Sequence, residues 1–199
     1  MVAFHMKDSL CAEKTVRMAF VQAIDRNGLI DRYLPGRAEV SDFPVLPDSW
    51  IQSARTEYRQ RDSAKAREML INDGWRDYGG TLFKTINGQY KTLRLELLVN
   101  EENSIRTRIA EGIAEYVKDA GIQLNITVLP WDKMMQRIAL GKYDIALMGC
   151  SIPPIPDISF LYDLPYTETY TGPETPAAWN ITGYYNPDVK TMIEECFAQ

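Results

Sequence analysis

The sequence predicts an α/β fold with a mixed sheet on a βαβαβ core. Leu93, Leu95, Leu97 and Val99 alternate with Arg94 and Glu96, and Ile122, Leu124, Ile126 and Val128 alternate with Gln123, Asn125 and Thr127. Strict alternation is the mark of a strand with two different faces. A third, mostly apolar run, Tyr143 to Met148, lies between Gly141 and Gly149 and reads as a central strand. Helical spacing fills the gaps: Ile105, Ile109, Ile113, Tyr116 and Val117 in the first, and Trp131 to Leu140 in the second. Gly121 and Gly141 stand where helix C-caps belong. Strand, helix, strand, helix, strand implies parallel pairing through right-handed crossovers.

The flanks are read in the same way. Val2 to Met6 is short and apolar enough for a strand, and Val16, Ala19, Phe20, Ala23 and Ile24 recur at helical spacing. Leu29, Ile30 and Tyr33 give a short second helix. Asp62 is a natural N-cap for a helix through Met69 and Leu70, ended by Asp73-Gly74. Tyr78 to Tyr90 is Gly-rich and suits a hairpin or loop. Leu34 to Gln60 and Tyr162 to Ala178 read as long irregular segments. Pro187 opens a last helix, with Asn186 as its cap and Val189, Met192, Ile193 and Phe197 on one face.

Bulk properties exclude several functions. The 199 residues are 45% hydrophobic and 25% charged, which is ordinary globular composition. A net charge of -5 argues against nucleic acid as a partner, because phosphate binding needs a basic face. Cys11, Cys150 and Cys196 have no paired spacing and His5 is the single histidine, so no metal site and no cofactor are expected. No run approaches the roughly 20 apolar residues of a membrane helix. Met1 to Leu10 has neither the basic start nor the apolar run of a secretory signal, so a leader is expected to have been lost.

Several stretches, in order, resemble the family-5 solute-binding proteins, the oligopeptide, dipeptide and nickel receptors of ABC importers. They are Phe4-His5-Met6-Lys7, Thr15 to Ala19 with Ala23 to Arg26, and Asp62 to Ala66 leading to Gly74-Trp75. Ala120-Gly121-Ile122, Trp131, Gly141 to Asp144 and Gly183 to Asp188 complete the set. Their order and spacing make it specific. The resemblance implies a periplasmic-binding-protein-like (type II) lobe, with residues 1–199 forming the C-terminal lobe of a two-lobed protein whose N-terminal lobe is missing. It further implies a small solute or peptide as ligand, a membrane permease as partner, and an extracytoplasmic, lipid-anchored location. Against it stand an effector-sensing domain of a transcription regulator and, further off, an enzyme.

In open α/β sheets ligands sit beyond the C-terminal strand ends. Those ends are Asn100-Glu101, Leu129-Pro130-Trp131 and Gly149-Cys150-Ser151, which are expected to share one rim. Residues 150–157 would form a Pro-rich rim loop. Gly149, Cys150, Ser151, Trp131, Asn100 and Asp157 are the candidate ligand-binding residues. Each has a plainer alternative: loop packing for Cys150 and Ser151, a helix anchor for Trp131, a solvated loop end for Asn100 and Glu101, and a turn cap for Asp157. In peptide-binding members, the resemblance places a ligand-stacking tryptophan at the position of Cys150. It places an amine-pairing aspartate near Pro153, so this chain departs from the free-amine pattern at both. Cys150 is the one nucleophile in an attractive place, and it would need a basic partner. His5, on the first strand, is most simply a packing residue. No catalytic residue is assigned.

Overall fold

The computed structural model describes residues 1–41, 60–149, 151 and 180–197. In chain order the elements are β1 (Val2–Phe4), α1 (Lys14–Ala23), α2 (Arg26–Tyr33), α3 (Ser63–Asn72), β2 (Arg76–Tyr78), β3 (Thr81–Ile86) and β4 (Gln89–Thr92). They continue with β5 (Arg94–Asn100), α4 (Ser104–Asp119), β6 (Gln123–Leu129), α5 (Trp131–Ala139), β7 (Ile145–Leu147) and α6 (Pro187–Phe197). The expected βαβαβ core is the run from β5 to β7.

The main sheet has the order β1-β7-β5-β6 and is mixed. β5 pairs in parallel with both β6 and β7, while β1 pairs antiparallel with β7. The chain moves from β5 to its neighbour β6, then back across β5 to β7. Crossovers of one hand that run in opposite directions must place their helices on opposite faces. The packing matches. Val117, Ala110 and Ile113 of α4 join α1 and α3 against Leu95, Leu97 and Val99 of β5. Met134 and Ile138 of α5 pack on Leu98 and Ala146 from the other side. The alternation of β5 thus has two apolar destinations, and the strand is buried along most of its length.

Two strands are shorter than the sequence suggests. Only Val2–Phe4 is strand: His5 N still donates to Asp144 O at 2.8 Å, in register, but Met6 N turns away to Thr182 O at 2.8 Å. Tyr143 to Met148 is central as expected, between β1 and β5, but only Ile145–Leu147 is strand. Asp144 is occupied otherwise, accepting from Ser9 Oγ at 2.6 Å and from the Glu96 amide at 2.8 Å. The Tyr143 hydroxyl donates to Ile181 O, tying the segment after residue 180 to the core. The Gly-rich stretch before β5 is more regular than a loop. It forms a second, antiparallel sheet in the order β2-β3-β4. Most of Leu34 to Gln60, and Tyr162 to Ala178, lie outside the described residues.

The helix ends follow local chemistry. Asp62 Oδ1 accepts from Lys65 N at 2.8 Å, and Asn186 Oδ1 accepts from Asp188 N at 2.9 Å, so both expected caps form. Gly121 ends α4 in a Schellman turn: Ile122 N donates to Val117 O at 3.1 Å and Gly121 N to Lys118 O at 2.9 Å. Its φ of +86° suits glycine, and an added Cβ would meet Arg67 Nη1 at 2.6 Å and Leu82 Cγ at 3.0 Å. Gly121→Ala should therefore destabilise the fold by about 2 kcal/mol, from left-handed strain and the clash together. Urea denaturation of the variant checks this, and an unchanged midpoint would remove the argument.

His5 is a packing residue, as expected. It is buried, its ring lies 4.8 Å from that of Tyr143, and among the described residues its Nδ1 has no hydrogen-bond partner. Burial lowers its pKa from the ordinary 6.5, outweighing the opposing pull of Asp144. The unfolded chain takes up this proton first, so the stability held above pH 6.5 is lost as pH falls toward the lower folded pKa. His5→Phe, which keeps the ring contact, is expected to lose less stability than wild type between pH 7 and pH 5. Parallel denaturation curves at the two pH values would reveal it.

Candidate functional site

The parallel register brings three strand ends to one edge. Asn100 stands opposite Leu129, and Leu98 opposite Ala146, so β5, β6 and β7 all finish on the same rim. Trp131 begins α5 two residues after β6, and Gly149 follows β7 by two residues. Both leave at this edge, with β5 between them.

A chain of hydrogen bonds links the β5 and β6 exits and carries Arg106 to the side of the β7 exit. Glu102 Oε1 accepts from the Trp131 amide at 2.8 Å, and Glu102 Oε2 accepts from Asn100 Nδ2 at 2.9 Å. Asn100 Oδ1 accepts from Arg106 Nη1. The other end of the guanidinium lies against the β7 exit, where a Cβ at Gly149 would stand 2.9 Å from Arg106 Nη2. Local sequence explains the placement. Asn103 caps α4, its Oδ1 accepting from Arg106 N at 2.9 Å. Arg106 is thus in the first turn of the helix leaving β5, and its long side chain reaches back over the rim. Glu102 does for α5 what a cap residue would, since Pro130 offers no side-chain cap. The Trp131 amide, then the Asn100 amide, hold the Glu102 carboxyl below the usual carboxylate range.

The candidate residues fare differently. Asn100 is buried at 7% exposure, which corrects the reading of it as a solvated loop end. The correction follows from its partners: a carboxamide held by Arg106 and Glu102 has no need of water. Glu101 is exposed and does fit that reading. Trp131 is 42% exposed, so it is not the anchor of α5; Met134 and Ile138, both fully buried, serve instead. Gly149 and Ser151 are exposed. Cys150, Asp157 and the rest of the 150–157 loop except Ser151 lie outside the described residues. Glu102 and Arg106 escaped sequence reading, although Asn103 as a cap after a strand would have flagged the turn that carries them.

Elsewhere, the sheet face under α5 carries a paired carboxylate. Arg137 Nη1 and Nη2 donate to Glu96 Oε1 and Oε2 at 2.9 and 2.6 Å, and Thr127 Oγ1 donates to Oε1 at 2.7 Å. Burial raises the Glu96 pKa, but these donors outweigh it and the net shift is downward. The group is a brace between α5 and β5. Burial pushes the Cys11 thiol up to about 12, so it is protonated at neutral pH and a poor nucleophile. Among the described residues no cluster of His, Cys, Asp or Glu is suited to a metal ion. No described helix is long and apolar enough to cross a membrane. A cavity of about 480 Å³ runs along the outer edge of β1, lined by Met1, Val2, Phe4, Ile181, Tyr184 and Val189 among others. It holds none of the candidate residues.

Residues 1–172 match the family of bacterial extracellular solute-binding proteins, family 5, middle region. The chain belongs to this family. It is 29% identical over 163 residues to the oligopeptide-binding protein AppA of Bacillus subtilis, covering 78% of this chain and 29% of AppA. It is 27% identical over 126 residues to the nickel-binding periplasmic protein of Escherichia coli, covering 63% of this chain and 24% of that protein. The fold superposes on the oligopeptide-binding protein of Thermus thermophilus complexed with pentapeptide, at a TM-score of 0.81 and 21% identity. That match covers 100% of this chain and 36% of the other. The chain therefore spans about a quarter to a little over a third of the length of these relatives. The fold is that of a type II periplasmic binding protein, and the relatives named are solute-binding proteins rather than enzymes.

Proposed function

We propose that this chain is the C-terminal lobe of a two-lobed receptor that binds a peptide or other small solute and delivers it to the permease of an ABC importer. The observation that carries the reading is the family-5 match across residues 1–172. The rim supports it physically. A crevice above the C-terminal ends of parallel strands is where α/β sheets hold ligands. Here Glu102 and Asn100 tie two of the exits together and Arg106 lies beside the third, which gives a solute a pre-ordered surface. Gly149, Ser151, Trp131 and Asn100 belong to that surface, and Cys150 and Asp157 are assigned to it from the sequence.

The mechanism is closure of two lobes around the solute, with the bound solute stabilising the closed form. The protein performs no chemistry on its cargo. It works outside the cytoplasm and is held at the membrane by a lipid anchor. Calorimetry on the full-length protein with a mixed oligopeptide library, followed by small-angle scattering at saturation, tests the reading. Bound solute should reduce the radius of gyration. A saturated protein that scatters like the free one would defeat the closure mechanism.

A further inference from the structure

We propose that the outer face of the small sheet, β2-β3-β4, docks this protein on a glycan strand of the bacterial cell wall. The register sets Tyr78 opposite Thr81, Tyr90 opposite Thr85, and Arg76 and Thr92 on either side of Phe83. Residues two apart share a face, so Tyr78, Phe83 and Tyr90 form a diagonal row across the three strands, one ring from each. The ring centroids lie 6.5 Å apart from Tyr78 to Phe83 and 6.3 Å apart from Phe83 to Tyr90. Thr85, Thr92 and Arg76, all exposed, surround the row. The sheet is held from its other side, where Leu82 is fully buried and Ile86 packs on the main core. The tyrosines are therefore not needed to seat it. At 81% and 80% they are more exposed than any other large apolar side chain among the described residues.

The chemistry of the face selects the occupant. Rings set in a row suit a linear polymer. Sugar rings have apolar C–H faces that stack on the negative faces of aromatic side chains, and their hydroxyls can pair with Thr85 and Thr92. The one carboxylate of these three strands, Asp77, alternates to the other side and pairs with Arg67 at 2.5 Å. Arg76, Lys91 and Arg94 are exposed and form no ion pair among the described residues, so the patch is cationic in a chain that carries -5 overall. That complements a glycan bearing carboxylates, as cell-wall strands do. A second copy fits less well: strand spacing gives the face about 250 Å², against the roughly 800 Å² that each partner of a stable complex buries. A bilayer lies on the wrong side. β5 begins two residues after β4 and runs away from it for seven residues, so the small sheet lies at the opposite edge of the main sheet from the rim. On the reading above, the rim must face the permease to release solute, and the far end then faces away from the membrane. The family is bacterial and extracellular, which puts the wall within reach.

Sedimentation of the full-length protein with purified cell-wall sacculi tests this. Phosphatidylglycerol vesicles serve as the competing surface, and the oligopeptide library is present throughout to occupy the crevice. Wild type should pellet with sacculi and stay in solution with vesicles. Tyr78→Thr/Tyr90→Thr, which keeps strand-forming residues, should bind sacculi about tenfold more weakly. Its melting temperature and its calorimetric titration with the library should stay close to wild type, because neither ring belongs to the core or the rim. Arg76→Gln, which alters an exposed side chain outside every described ion pair, should weaken binding about threefold, and added salt should erase that difference. Wild type left in the supernatant overturns the proposal. So does a double variant that pellets as well as wild type, or capture by vesicles in place of sacculi. Self-association that the double variant abolishes, without binding to sacculi, gives the face to a second copy and overturns it too. Each of these outcomes leaves the receptor reading intact, because that reading stands or falls on the library titration and the closure it drives.

Discussion

Leu98→Ala is expected to destabilise this chain by about 3 kcal/mol, the middle of the range for a fully buried leucine. Leu98 is completely buried, and it belongs to the smaller of the two apolar clusters, with Met134, Ile138, Ala146 and Met148. That cluster fixes α5 to the sheet, and Leu98 is the strand residue that Met134 and Ile138 pack on. A cavity there cannot be filled without moving the helix. By contrast, Val128→Ala on the edge strand, where the side chain is 43% exposed, should change stability by less than about 0.5 kcal/mol. Urea denaturation of both variants decides the matter. Equal shifts would mean that α5 is not held by this cluster.

The second large effect belongs to Asn100. Asn100→Leu should destabilise by about 1 kcal/mol, because the half-buried Arg106 donor loses the carboxamide oxygen that now accepts from it. It should also weaken solute binding by the full-length protein, since both the Trp131 exit and the guanidinium lose their common tether. Glu101→Ala, one residue further on, is the control. Its side chain is exposed and joins none of these bonds, so neither stability nor affinity should move. Thermal melts and calorimetry on the pair separate a specific network from a generally sensitive loop. If the two substitutions behave alike, the network has no special weight.

The contrast between Asn100 and Glu101 also shows where sequence reading works and where it stops. Periodicity revealed β5, β6, α4 and α5 because each repeats one demand, burial of one face, over many residues. Asp62 and Asn186 were readable as caps because a cap bonds to an amide two or three positions away. The rim obeys neither rule. Glu102 reaches the amide of Trp131, 29 residues on, and Arg106 reaches back to Asn100 across a turn. Such links leave no period in the sequence. Without them a polar residue at the end of a strand looks solvated, and a tryptophan at the start of a helix looks like an anchor. The brevity of β7 has a similar cause, because Tyr143 and Asp144 are occupied by Ile181, Ser9 and Glu96, all distant in sequence.

The antiparallel pairing of β1 with β7 has a consequence for how the chain reaches this structure. Val2 meets Leu147 across nearly three quarters of the sequence, whereas β5 and β6 are joined through a single helix. Contacts that close so long a loop form late, after local units have already gained most of their stability. Until β1 arrives, β7 is the bare edge of a sheet made of strongly apolar strands, open to any other extended segment. The β1 segment must therefore find that edge only after more than a hundred residues that follow it have begun to fold. Substitutions in Val2–Phe4 should then show more in the yield of soluble protein than in the stability of what is recovered.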